Sequence, residues 1–270
     1  MNINKERIDN ILVEKGFFES RQKAKFAIDN KLIYVDGNLV EKSSKLVSKD
    51  ASIEVKGQSM PFVSRGGLKL DKAIKKFRIN LYEKTCIDIG ASTGGFTDCM
   101  LQNKAKKVYA IDVGHDQLAE KLIINPNVVN IEGINIRDVD SNNFEKVDFI
   151  GTDVSFISIV HVLPKIYELL KIKGQAVVLI KPQFEAGKAN INKNGVVKDL
   201  KVHKKIITNV VMIASNLGFN ILDLDYSPIK GPAGNIEYLL YMEKNENSLL
   251  DNFEIRNKIE DVVNSAFKNL

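Results

Sequence analysis

The sequence predicts an α/β protein: a doubly wound, mostly parallel sheet of seven strands, preceded by a small α+β unit. Three observations carry that expectation. From residue 85 to residue 242, short apolar runs suited to strands alternate with segments of helical spacing. The first run enters a loop, Asp88-Ile-Gly-Ala-Ser-Thr-Gly-Gly95, which opens into a helix-like stretch over residues 96–102. Glycine has no Cβ, so a strand–loop–helix of this kind lets a ligand press against the backbone. The first sixty residues follow a different rhythm, with two helical segments and then short strands around an Asp36-Gly37 turn.

In the first unit, residues 5–15 and 20–30 both show helical spacing, with Ile8, Ile11 and Leu12 in one and Ala24, Ala27 and Ile28 in the other. Gly16 separates them, and Ser20 is placed to cap the second. Residues 32–37 read as a strand and turn, and residues 52–55 as a closing strand. Gly57-Gln-Ser-Met-Pro61 has linker composition. A helix then runs to about Phe77, with Ser64 as its candidate cap and Lys69 early in its course.

In the second unit, strands are expected at residues 85–88, 108–112, 128–131, 147–153, 176–181, 219–226 and 237–242. Helices are expected at residues 96–102, 117–122, 160–170, 198–217 and 250–268. In such sheets ligands bind at the carboxyl ends of the strands, where Asp112, Asp153 and Lys181 all fall. A lysine closing a buried apolar strand is hard to explain by packing.

Composition narrows the function classes. A chain of 270 residues, 44% hydrophobic and 27% charged, is long enough for two domains and has soluble-globular proportions. No apolar run approaches the ~20 residues that span a bilayer, and residues 1–5 lack a signal-peptide core. Two separated cysteines, Cys86 and Cys99, suit a reducing cytoplasm, and three scattered histidines argue against a metal site. The net charge of +5 is concentrated: residues 61–90 hold seven Lys and Arg, Arg65 among them, against three Asp and Glu. A basic block beside a ligand loop suggests a polyanionic partner.

The loop at residues 88–95 resembles the first motif of S-adenosylmethionine (SAM) methyltransferases, acidic-x-Gly-x-Ser-x-Gly-Gly, matched by Asp88, Gly90, Ser92, Gly94 and Gly95, with Thr93 between. Asp112, seventeen residues beyond Gly95, is then suited to the ribose hydroxyls of an adenosine cofactor. Asp88 would orient the loop or sense the sulfonium through water.

Further resemblances cover most of the chain. Arg7-Ile-Asp9, Leu12-Val13, Gly16, Ser20-Arg21, Ala24, Ile28, Val35-Asp-Gly37, Lys42 and Val47 resemble the S4-like RNA-binding domain. By position, that implies Arg7, Ser20, Arg21, Lys23, Lys25 and Lys31 as phosphate contacts. The first sixty residues hold 11 Lys and Arg against 9 Asp and Glu, so docking on a structured RNA fits better than stand-alone binding. Ser64-Arg-Gly-Gly-Leu-Lys-Leu70, Thr152-Asp-Val-Ser-Phe-Ile-Ser158, Leu179-Ile-Lys-Pro-Gln-Phe-Glu185 and Gly231-Pro-Ala-Gly-Asn-Ile-Glu-Tyr238 resemble the TlyA family. Its members carry two labels, hemolysin and ribosomal RNA (cytidine-2′-O)-methyltransferase, and its catalytic domain is similar to the RrmJ/FtsJ group.

The resemblance implies an S4-like domain at residues 1–58, a linker at 59–63 and a Rossmann-like, FtsJ-like methyltransferase domain at 64–270. It implies SAM as cofactor, ribosomal RNA or ribosomal subunits (16S, 23S or both) as partner, and a tetrad of Lys69, Asp153, Lys181 and Glu237. Asn135 stands where the RrmJ-like pattern often has an acid near the adenine, so Asn135 and Asp138 are both candidates there.

The residue types suit the chemistry. A ribose hydroxyl must lose its proton as it attacks a methyl carbon in line, and a lysine pushed toward neutrality by a second cation can accept it. Asp153 and Glu237 would orient that lysine, and Lys69 would hold the hydroxyl or a phosphate; which lysine is the base stays open. Two other readings are a non-catalytic RNA-binding assembly factor and a membrane-active hemolysin. The latter needs a strongly amphipathic segment, whereas residues 249–270 are mildly so and mix both charges.

Overall fold

The computed structural model describes residues 5–57, 60–142, 144–245 and 252–270, and resolves the chain into two compact units, Met1–Arg65 and Gly66–Leu270. The linker residues Gln58 and Ser59 lie outside the described residues.

The first unit comprises β1 (Lys5–Arg7), α1 (Ile8–Glu14), α2 (Arg21–Asp29), β2 (Ile33–Val35), β3 (Asn38–Leu39), β4 (Leu46–Ser48) and β5 (Ile53–Val55). The apolar faces of α1 and α2 meet over Ile8, Ile11, Leu12, Ala24, Ala27 and Ile28, joined by Ile33 and Val47 from the strands. Ser20 caps α2, accepting the Lys23 N–H at 3.3 Å. Asp36 (φ +49°) and Gly37 (φ +77°) make the hairpin turn between β2 and β3, both in the left-handed region that primed turns require. One expectation is corrected. Residues 5–7 are not helical but form β1, antiparallel to β4, so the helix starts at Ile8. The pairing partner lies some forty residues away, and helical spacing within residues 5–15 could not register it.

The second unit opens with α3 (Gly67–Phe77). Its cap position is held by Gly66 without any side-chain hydrogen bond, so Ser64 is not its cap. There follow β6 (Thr85–Ile89), α4 (Gly95–Gln102), β7 (Lys107–Ile111), α5 (Glu120–Ile123), β8 (Val128–Ile131), β9 (Val147–Thr152), α6 (Leu163–Leu169), β10 (Leu170–Ile180), α7 (Pro182–Glu185), α8 (Leu200–Asn216), β11 (Phe219–Tyr226), β12 (Tyr238–Lys244) and α9 (Asn252–Asn269). The strands form one sheet in the order β11-β12-β10-β9-β6-β7-β8, in which β12 runs antiparallel to both neighbours and every other pairing is parallel.

Three boundaries differ most from the periodic reading, and the first is the helix expected at residues 117–122, which begins only at Glu120. The helix expected at residues 160–170 is a 3-10 turn, Ile159–His161, followed by α6. The strand expected from residue 176 begins at Leu170, with a register irregularity before Gln175 and Lys173 at φ +64°.

Both faces of the sheet are covered. Ile206, Val210 and Val263 of α8 and α9 share a core with Val178, Phe219 and Leu240. Phe77 of α3 stacks on Tyr241, ring centroids 5.3 Å apart, and Tyr241 neighbours Leu240 on β12. Successive strand residues face opposite sides, so α3 covers the face away from α8 and α9. Among the described residues no helix is long and apolar enough to cross a membrane.

Candidate functional site

The strand order reverses at β6. The chain proceeds from β6 to β7 and β8 on one side, then returns to place β9 on the other. That switch opens a crevice at the carboxyl ends of β6 and β9. Asp153 directly follows β9 and Lys181 directly follows β10. Because β12 is antiparallel, its start lies beside the end of β10, with Tyr238 opposite Ile180, and Glu237 is the residue just before that start. Lys69 enters from the first turn of α3.

These four side chains meet. Lys69 Nζ lies 2.9 Å from Asp153 Oδ2 and 2.7 Å from Glu237 Oε2. Lys181 Nζ lies 2.7 Å from Asp153 Oδ1 and donates to Ser155 Oγ at 2.9 Å. Lys69, Lys181 and Glu237 are all buried. Burial disfavours both charges of the Lys69–Asp153 pair, but the opposite charges outweigh it. Lys69 is raised above the usual lysine value, and Asp153 is held below the usual carboxylate value. The turn at Gly231 presses on Glu237: a Cβ there would stand 2.7 Å from Glu237 Oε1.

Beside the cluster is a cavity of about 670 Å³, lined on one side by Gly90, Ser92 and Asp112 and on the other by Asp153, Ser155 and Phe156. Gly90 (φ +80°) leaves little room for a side chain, since a Cβ would crowd the Asp153 carbonyl oxygen at 3.1 Å. Asp112 accepts the Ser92 N–H at 2.7 Å and the Gly114 N–H at 2.8 Å, which fixes its carboxylate at the cavity wall.

The other loop residues stand behind the wall. Asp88 is buried and accepts both the N–H (2.8 Å) and the hydroxyl (2.7 Å) of Thr97, so it caps α4 from within, and burial pushes its pKa up to about 7. Gly94 (φ +93°) packs against Leu118 and Leu122, Thr93 accepts the Ala119 N–H, and Gly95 begins α4. Asn135 lines the cavity, its Oδ1 accepting the Arg137 N–H at 3.1 Å, whereas Asp138 is exposed and does not line it. Gln117, Val113 and Ile134 also line the cavity and had no signal in the sequence beyond their place after strand ends.

In the first unit, Arg7 grips Asp9 through two bonds of 2.9 Å and Arg21 holds the same carboxylate at 2.8 Å. Ser20 is occupied as the cap, Lys23 pairs with Glu19, and Lys25, Lys31 and Arg65 are exposed. A guanidinium carries five N–H donors, so holding Asp9 does not exhaust either arginine.

Residues 62–244 match the FtsJ-like methyltransferase family, and residues 6–53 match the S4 domain. The chain is 36% identical to the 16S/23S rRNA (cytidine-2′-O)-methyltransferase TlyA of Mycobacterium tuberculosis, covering 96% of each protein. It is 43% identical to Hemolysin A of Brachyspira hyodysenteriae over 87% of this chain and 98% of that one. Among solved structures, a Streptococcus thermophilus protein named as a hemolysin is 40% identical, with a TM-score of 0.78, covering 98% of this chain and 97% of that one.

Proposed function

The chain belongs to the FtsJ-like methyltransferase family, in its TlyA branch, and we propose that it transfers a methyl group from SAM to the 2′-hydroxyl of a cytidine in 16S or 23S ribosomal RNA, or in both. The observation that carries the reading is the contact of Lys69, Asp153, Lys181 and Glu237 at the edge of a ligand-sized cavity. The cavity fits the cofactor. Asp112 offers carboxylate oxygens to a ribose, Ile134 and Val113 offer an apolar wall, and Gly90 leaves the backbone open to close approach. SAM, when bound, supplies an electrophilic methyl on a cationic sulfonium.

The chain's own residues then do the following. Lys181, which pairs with one carboxylate among the described residues, is placed to take the proton of the 2′-hydroxyl as the oxygen–carbon bond forms, acting as the free amine after its own third proton has passed to solvent. Lys69, with two carboxylates, remains a cation and holds Asp153 and Glu237 in place. Asp153 bridges both lysines and stabilises the positive charge that Lys181 acquires. Phe156, 92% exposed beside this cluster, offers a ring on which the target base can stack. In the S4 unit, Arg7, Arg21, Lys23, Lys25 and Lys31 supply phosphate contacts that position the RNA without reading its sequence.

The test is transfer of labelled methyl from SAM to ribosomal subunits lacking the modification, followed by alkaline hydrolysis. One phosphodiester should become resistant, because alkaline cleavage needs a free 2′-hydroxyl. Lys181→Ala should reduce transfer at least a hundredfold, within the range of lost acid–base catalysis. Transfer at the wild-type rate by that variant would rule the assignment out.

A further inference from the structure

Residues 153–157 form one wall of the cavity, and among them Phe156 has an unusual backbone. Its φ of +65° lies in the left-handed region that a bulky side chain rarely enters. Such a conformation is strained and persists only where its surroundings over-determine it. Here the surroundings come from α7 and the residue before it. Lys181 donates to Ser155 Oγ at 2.9 Å, and the Phe184 ring lies 5.4 Å from the Phe156 ring. Glu185 closes the far side: Oε1 accepts the Ile159 N–H at 2.8 Å and Oε2 accepts the Ser158 hydroxyl at 2.5 Å. Three residues of the segment 181–185, Lys181, Phe184 and Glu185, thus grip the strained turn before, at and after Phe156. Glu185 itself reaches no residue of the Lys–Asp–Lys–Glu cluster in any of these bonds.

We propose that Glu185 is a positioning residue of the methyl-transfer site, holding residues 155–159 so that Ser155 meets Lys181 and Phe156 stays presented beside it. The proposal rests on the methyltransferase reading above. Glu185 touches neither the RNA nor the cofactor; it acts through the turn. The double grip sets a geometric requirement on its replacement. Glutamine keeps the length, accepts the Ile159 N–H through its amide oxygen, and can donate to a Ser158 hydroxyl turned to accept. Alanine loses both bonds and leaves the Ile159 N–H without its acceptor.

The experiment uses the full chain and two readouts. Hydrogen exchange at the Ile159 amide is measured in the protein alone, and kcat and KM are separated for methyl transfer to ribosomal RNA at saturating SAM. Glu185→Ala should speed Ile159 exchange at least tenfold and lower kcat/KM for RNA at least tenfold, whereas Glu185→Gln should bring both within threefold of wild type. Ser158→Ala, which removes one bond of the two, should fall between them and serves if Glu185→Ala does not fold. Wild-type kcat/KM in Glu185→Ala, or in Ser158→Ala where that variant must stand in, overturns the proposal. So does a Gln variant as impaired as the Ala variant, or lost activity with unchanged exchange at Ile159. A wild-type chain that transfers no methyl overturns the methyltransferase reading and this proposal with it, whereas an active wild type with an unaffected Glu185→Ala overturns this proposal alone.

Discussion

Asp9 shows how a single carboxylate can organise a basic surface. It is buried, and three hydrogen bonds from Arg7 and Arg21 converge on it. The Arg7 bonds are the largest cause of its shift, and with Arg21 they outweigh burial to hold its pKa down to about 2. A carboxylate depressed in the folded state contributes stability that is fully present above its unfolded value near 3.8 and is lost as pH falls toward about 2. Asp9→Asn should therefore destabilise the protein at pH 7 by about 2 kcal/mol, read from exchange of the α1 amides, with the difference from wild type closing as pH approaches 2. A difference that stays constant across that window would mean that charge is not what holds the two arginines. Geometry alone separates the two lysines of the cluster. Lys69 sits between two carboxylates and Lys181 beside one, a distinction that residue types alone left open and that distances of 2.7–2.9 Å supply.

Elements place those residues, and the sequence disclosed the elements unevenly. The seven strands of the large sheet were legible because each is an apolar run bounded by turn residues, and Asp112, Asp153 and Lys181 mark where three of them end. The antiparallel course of β12 was not legible from alternation, which carries no direction, yet it is what sets the start of β12 beside the end of β10 and brings Glu237 within reach of Lys69. The pairing of β1 with β4 escaped because three-residue strands leave no period to detect. Asp88 shows a different limit: its place in the glycine loop was clear, but its bonds to Thr97 turn it into the cap of α4 rather than a wall of the cavity. Gly90 is the cavity-lining loop residue that meets backbone, since φ +80° strains any side chain and a Cβ would crowd the Asp153 carbonyl at 3.1 Å. Gly90→Ala should weaken SAM binding at least tenfold by calorimetry, because the loop must shift away from β9 to admit a methyl group. An unchanged dissociation constant would mean that the cofactor does not press on this backbone.

Across the whole molecule, charge is divided according to task. Most of the net +5 sits in residues 61–90, and the first sixty residues carry only a small excess of cations. Within the S4 unit even those cations are not equivalent: Arg7 and Arg21 are anchored on Asp9 and Lys23 on Glu19, whereas Lys25 and Lys31 stand exposed on and just after α2. On the proposed reading, a module with so small an excess of cations docks a shaped phosphate backbone against a few placed groups, and does not hold RNA by bulk attraction. Each phosphate neutralised contributes roughly 0.7–0.9 to the slope of log affinity against log salt. Replacing Lys25 and Lys31 together by Gln should therefore flatten that slope for ribosomal RNA by about 1.5, and weaken binding most at low salt, while the dissociation constant for SAM stays within twofold. The cavity proposed for the cofactor is lined by residues of the second unit, so a loss of SAM affinity in this double variant would mean that folding, and not phosphate contact, had been disturbed. An unaltered slope with intact SAM binding would instead remove α2 and its following turn from the RNA-docking face, and would leave the basic segment at residues 61–90 to carry that task.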